Sequence, residues 1–161
     1  MNKPEEFSVI TASMTTPWMA VASDAVPWNR ADGSIEKGTV WPLTKDMLSN
    51  PRSAATFSKF LGAWIRERQL LPWMGGLRKI TLIPAQFLED GVPMMKKKGW
   101  IQARMDADIA VFDPKTIRNP ATVDYPAQTS EGVKYLVVNG QLLIDDGKMD
   151  LSILPGKSVR R

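Results

Sequence analysis

With 161 residues, no cysteine, no histidine and a formal net charge of +4, the chain is long enough to bury one core and short for two. The missing cysteines exclude disulfides and thiolate metal sites, and the missing histidines exclude any imidazole base, ligand or switch. No apolar run approaches the roughly 18–20 residues of a membrane helix, and the opening MNKPEEFSV has two acids and no leader-like apolar core, so the chain is expected in the cytoplasm and off the membrane.

In chain order, EEFSVITASMTT (5–16) suits a short helix, with Glu5 and Glu6 near its positive N-terminal end and Pro17 limiting it. WMAVAS (18–23) is a compact apolar run that stops at a polar loop, and reads as a short buried strand. Asp24 follows directly. Residues 25–50 hold Pro27, Gly33, Gly38 and Pro42 without a clear period, which predicts a long loop of the functional or mobile kind. Pro51 suits a first helical turn. Phe57, Phe60, Leu61, Trp64 and Ile65 then recur as one apolar helix face. A second helix is predicted over 73–82, with Leu77 and Ile80 buried and Gly75-Gly76 weakening its start. Pro84 should break that pattern, and AQFLED starts a further helical turn.

Near residue 97 the period changes from helical to strand-like, dividing the chain into 1–96 and 97–161. GWIQARMDADIAVFDP reads as two short strands around a turn, ended by Asp113-Pro114. In GVKYLVVNGQLLIDDGK, Asn139-Gly140 between apolar runs predicts a two-residue type I′ hairpin, and Asp146-Gly147 marks the next turn.

The candidate functional groups are few. Asp106, Asp108 and Asp113 suggest a cation site, but strand alternation and turn capping explain them more simply. Ser23 and Ser53 lack the histidine a nucleophilic triad needs and read as structural. Arg52 suits a bidentate grip on a substrate carboxylate, or a pair with a nearby acid on the helix. Trp18, Trp28, Trp41 and Trp64 read as core or loop anchors. The basic surplus sits in Lys96-Lys97-Lys98 and in Lys157, Arg160 and Arg161; without aromatic or motif support it reads as a solvated face, which weighs against a nucleic-acid partner.

Four stretches, in order, carry a resemblance: VASDAVPW, NPRSAATFSKFLGAWIRE, RKITLIPAQFLE and KKGWIQARMDADIAVFDP, extended by VKYLVVNGQLLIDDGK and PGKSVRR. Together they resemble the C-terminal part of amidohydrolase-superfamily N-acyl-D-amino-acid deacylases, the D-aminoacylase group, over nearly the whole chain. The resemblance implies a mixed α/β fold: the last strand and helices of a metal-dependent (β/α)8 barrel over 1–96, and strands of a small composite β-sandwich over 97–161. Residues 5–16 would match the seventh barrel helix, 18–23 the eighth strand, 51–68 the eighth helix and 73–89 the connection onward.

The implied activity is hydrolysis of a non-peptide C–N amide bond in an N-acyl-D-amino acid, with zinc as the family's metal. Asp24 matches the aspartate at the end of the eighth strand, the proton-shuttling acid and a possible metal ligand. The first seven strands and the histidine ligands have no counterpart here, so the chain alone is not expected to hold zinc or turn over. Without its neighbours the 18–23 strand has unpaired edges, which leads one to expect a homo-oligomer, a complex with a complementary chain carrying the N-terminal barrel, or a loosely ordered N-terminal zone. Activity would need the missing barrel from another chain; the rival expectation is a non-catalytic interaction module. Two local departures stand out. Asn50 occupies the place of a histidine usual before Pro-Arg, and Arg104 that of a glycine usual before Asp-Ala-Asp. If that second position needs a positive φ, Arg104 is strained by about 1 kcal/mol or more.

Overall fold

The computed structural model describes the backbone of residues 4–38, 40 and 42–160. It is a mixed α/β arrangement. Helix α1 (Pro4–Thr15) is followed by the long segment to residue 51. Helix α2 (Arg52–Lys59) runs straight into a π-helical segment (Phe60–Glu67). Helices α3 (Trp73–Ile80) and α4 (Leu82–Leu88) and a 3-10 turn (Pro93–Lys97) complete the helical part. Strands β1 (Ile109–Phe112), β2 (Val133–Val138), β3 (Gln141–Asp145) and β4 (Lys148–Met149) form one antiparallel sheet in sequential order.

Local chemistry explains most boundaries. Asn50 Oδ1 accepts the Arg52 N–H at 3.1 Å, satisfying one of the free donors at the start of α2. The apolar face foreseen at 57–65 buries Phe60, Leu61 and Ile65, while Phe57 is left 45% exposed. Its later half winds with the wider π repeat, and the Arg68 N–H closes it on the Ala63 carbonyl at 3.3 Å.

The helix foreseen at 73–82 is two helices. Thr81 leaves helical geometry (φ −128°, ψ −81°) and its hydroxyl donates to the Leu77 carbonyl at 2.7 Å. Pro84 falls in the first turn of α4, where a missing N–H costs nothing. The Gly75-Gly76 pair also has a use. A Cβ on Gly76 would lie 2.7 Å from Ile65 Cδ1, so the glycine lets α3 lie against the π-helical segment.

In the sheet, Asn139 (φ +48°) and Gly140 (φ +76°) turn β2 into β3 with both turn residues at positive φ, as the hairpin signal requires. Asp146 (φ +43°) and Gly147 (φ +78°) repeat the device between β3 and β4. Of the two strands expected within 97–113, only β1 forms. The earlier half is the 3-10 turn and a chain reversal at Gln102–Met105, closed by the Met105 N–H on the Gln102 carbonyl at 3.3 Å. Arg104 sits inside that reversal at φ +70°.

The strand expected at 18–23 does not form. The Val21 N–H reaches the Lys79 carbonyl at 3.0 Å, but no strand pairs with this segment among the described residues. An apolar run becomes a strand only when a neighbour takes up its backbone groups. The 25–50 loop has internal order. Asn29 bridges both Ile35 and Leu48, and the side chain of Glu36, 2% exposed, is held by Arg30.

The core gathers Phe60, Leu61, Ile65 and Ile117, with Met14, Val21, Trp64, Trp73, Phe112 and Val133 packed on it. It therefore joins helices, the 18–23 segment and the sheet. The chain exposes 11199 Å², against about 8,000 Å² for a folded monomer of 17.9 kDa. The excess includes large apolar side chains: Trp18 is 70% exposed, and Ile101 and Leu154 more so.

Candidate functional site

The apolar segment 18–23 delivers Asp24 to the surface. Asp24 adopts a left-handed backbone (φ +48°), which a short polar side chain tolerates. Its carboxylate is 86% exposed and lies 3.0 Å from Arg52 Nη2. The same guanidinium donates through Nε to the Asp24 backbone carbonyl at 2.7 Å. Arg52, the first residue of α2, therefore grips both the main chain and the side chain of Asp24. Of the two roles expected for Arg52, a grip on a substrate carboxylate or a pair with an acid on its own helix, the geometry shows a pair with an acid, but that acid is Asp24 of the preceding segment.

The next residue, Ser53, holds the chain as well. Its hydroxyl accepts the Val26 N–H at 3.0 Å and donates to the Val26 carbonyl at 3.1 Å. Ser49 in turn donates to Ser53 Oγ at 3.0 Å. Ser53 is thus structural, as expected without histidine, and its structural work is to hold the chain just past Asp24.

Upstream, Lys79 of α3 is buried, and burial pushes its amine below the ordinary lysine range. Its ammonium donates to the carbonyl of Met19 at 3.0 Å and to that of Thr16. Sequence reading missed this residue. The available signal was a lysine at a position where α3 turns its buried side, between Gly76 and Ile83.

The other acids lie elsewhere. Asp106 (3.0 Å) and Asp108 both take Lys98, and Asp108 Oδ1 accepts the Asn139 N–H at 2.8 Å. Asp113 caps the Lys115 N–H at 2.8 Å. These are turn fasteners. Trp18, 70% exposed, is too exposed to be a core anchor. Trp28 is half-buried, Trp64 packs on the core with Arg68 over its ring at 4.2 Å, and Trp41 lies outside the described residues, as does Arg161.

Among the described residues no group of three or more acids is placed to hold a metal ion. A zinc site takes about three protein ligands plus an open position. Asp24 offers one carboxylate beside a guanidinium, which competes for it. The donor set of the described residues does not fit a zinc ion.

An amidohydrolase family model matches residues 10–144. The chain belongs to the amidohydrolase family. It is 30% identical over 119 residues to an N-acyl-D-glutamate deacylase of Alcaligenes xylosoxydans xylosoxydans, a stretch that is 74% of this amidohydrolase and 23% of that relative. Among solved structures, a D-aminoacylase with a binuclear metal centre superposes with a TM-score of 0.68 at 23% identity, over 92% of this chain and 26% of the other. The N-acyl-D-glutamate deacylase of Bordetella bronchiseptica, solved with zinc and a phosphonate mimic of the tetrahedral intermediate, gives a TM-score of 0.58 at 29% identity, over 70% of this chain and 22% of the other. The amidohydrolase described here is thus D-aminoacylase-like and partial. It spans about a quarter of the length of the proteins it matches.

Proposed function

We propose that this chain is the C-terminal part of an N-acyl-D-amino-acid deacylase, with 1–96 as the end of the barrel and 97–161 as strands of its small sandwich. The observation that carries the reading is Asp24. It stands exposed after an apolar, unpaired segment and is oriented from α2 by Arg52. In the proposed reaction, water adds to the acyl carbon, Asp24 takes its proton, and the same carboxyl returns a proton to the amide nitrogen as the C–N bond breaks. A carboxylate and a free D-amino acid leave. The zinc found with a relative needs ligands that the described residues do not bring together; in this proposal the rest of the barrel supplies them.

The test is reconstitution. The chain is combined with the N-terminal portion of a D-aminoacylase and zinc, and N-acetyl-D-amino acids are offered as a panel. Turnover that appears only on mixing and is lost in Asp24→Asn supports the reading. Turnover indifferent to Asp24→Asn removes it.

A second reading is favoured by the surface of 11199 Å² with its exposed tryptophan and aliphatic side chains: a non-catalytic interaction module. On that reading the chain self-associates, and sedimentation shows an oligomer whose stability does not depend on zinc or on Asp24.

A further inference from the structure

We propose that Lys79 is the positioning residue for Asp24, an assignment that rests on reading Asp24 as the reacting acid. A strand ordinarily takes its place from hydrogen bonds along its edges. The 18–23 segment has no such neighbours among the described residues. Beside the packing of Val21 on the core, the polar bonds to this segment from other elements, among the described residues, come from one residue. The Lys79 carbonyl accepts the Val21 N–H at 3.0 Å, and its ammonium binds the carbonyls of Thr16 and Met19. Those two carbonyls bracket Pro17 and Trp18, where the chain leaves α1. Lys79 therefore sets the direction in which the segment departs toward Asp24.

Core stability does not account for a lysine here. The residue is 3% exposed, and no carboxylate pairs with it among the described residues. Neutral carbonyls offset only part of the cost of burying an ammonium, and an apolar side chain of the same length would pack without that cost. What the amine adds is a fixed geometry for two carbonyls. Downstream, Arg52 and Ser53 hold Asp24 and Val26. Residues 22 and 23 lie between the two anchors with no backbone hydrogen bond of their own to the described chain. With the Lys79 anchor weakened, the segment pivots on Arg52 and Asp24 loses its set position.

The test is Lys79→Met in the full chain, which keeps the aliphatic stem and the backbone carbonyl. In the variant the Val21 amide exchanges about tenfold faster or more, because the two ammonium–carbonyl bonds that fix the segment are lost while its own backbone bond to residue 79 remains. The backbone order parameters of Ala22–Ala25 fall from about 0.85 toward about 0.6. Amides of β2 and β3 stay within about twofold of wild type, because removing an unpaired buried charge compensates the core. An unchanged segment overturns the proposal, and so does uniform acceleration of all amides, which marks a general core role.

If the variant does not fold, the wild-type chain decides. The Lys79 ammonium should exchange slowly with water and show couplings to the carbonyl carbons of Thr16 and Met19. Exchange as fast as that of an exposed lysine overturns the proposal. None of these readouts needs turnover, so turnover indifferent to Asp24→Asn would remove the reading of Asp24 as the acid without moving them.

Discussion

Arg104 offers a direct measurement of local strain. It is the third residue of the Gln102–Met105 reversal, at φ +70°, where a type II turn asks for glycine. An L side chain in this region costs about 1–2 kcal/mol. Glycine relieves that cost but gives back about 0.5–1 kcal/mol in unfolded-chain entropy. The Arg104 side chain is exposed and forms no ion pair among the described residues, so its removal forfeits none. Arg104→Gly should therefore stabilise the chain by about 0.5–1 kcal/mol. Arg104→Ala keeps the Cβ and the strain, and should leave stability unchanged. Urea unfolding of the three proteins, followed by far-UV circular dichroism, makes the comparison. If glycine stabilises no more than alanine, the strain argument is wrong.

Three further outcomes follow from the same geometry. Gly132→Ala places a Cβ 2.6 Å from the backbone of Ile117 at φ +88°, a clash that cannot be relieved by moving a side chain; it should cost about 3 kcal/mol in thermal unfolding. Asp24→Asn should change stability by less than about 0.5 kcal/mol, because the ion pair with Arg52 is exposed and screened; a differential scanning trace that shifts by many degrees would mean Asp24 is structural.

The third concerns pH. Burial opposes charge on Asp108, but the Asn139 N–H and Lys98 outweigh it and hold the carboxyl below 3.8. Burial likewise opposes charge on Lys98, and the Asp108 and Asp106 carboxylates outweigh it, raising the amine above 10.5. The Asp108 contribution is therefore present above the unfolded value of 3.8 and is lost as pH falls through the lower folded value. The Lys98 contribution is present below 10.5 and is lost as pH rises through the higher folded value. Urea midpoints across pH should show an acid limb that flattens in Asp108→Asn.

Features written in a few adjacent residues were legible in the sequence. Asn139-Gly140 and Asp146-Gly147 specify their own turns, because positive φ at both positions is a local demand. The strain at Arg104 was legible as a conditional, and the condition holds. Features that need partners were not legible. The run at 18–23 has strand composition, but composition cannot supply neighbouring strands. Phe57, Phe60, Leu61, Trp64 and Ile65 have helical spacing, yet spacing does not tell α from π winding once Gly62 must pass close to the Ile117 carbonyl, 2.6 Å from where its Cβ would lie.

At the site, Asp24 and Arg52 were both singled out, and the structure puts them in contact. Their contact was not foreseen, since they lie 28 positions apart in the chain. Lys79 escaped because a lysine in a helix reads as solvent-facing unless the phase of the buried side is followed residue by residue.

The large exposed area has a further consequence, for how the chain comes apart. An unfolded chain of 17.9 kDa exposes about 26,000 Å². Starting from 11199 Å², unfolding uncovers about four-fifths of the new surface that an ordinary monomer of this size would uncover. Denaturant sensitivity and heat-capacity change both scale with that newly wetted area. The transition of the isolated chain is correspondingly broad and its stability curve flat. Covering the apolar face with a partner would sharpen both, so the steepness of unfolding itself reports whether the molecule has found its complement.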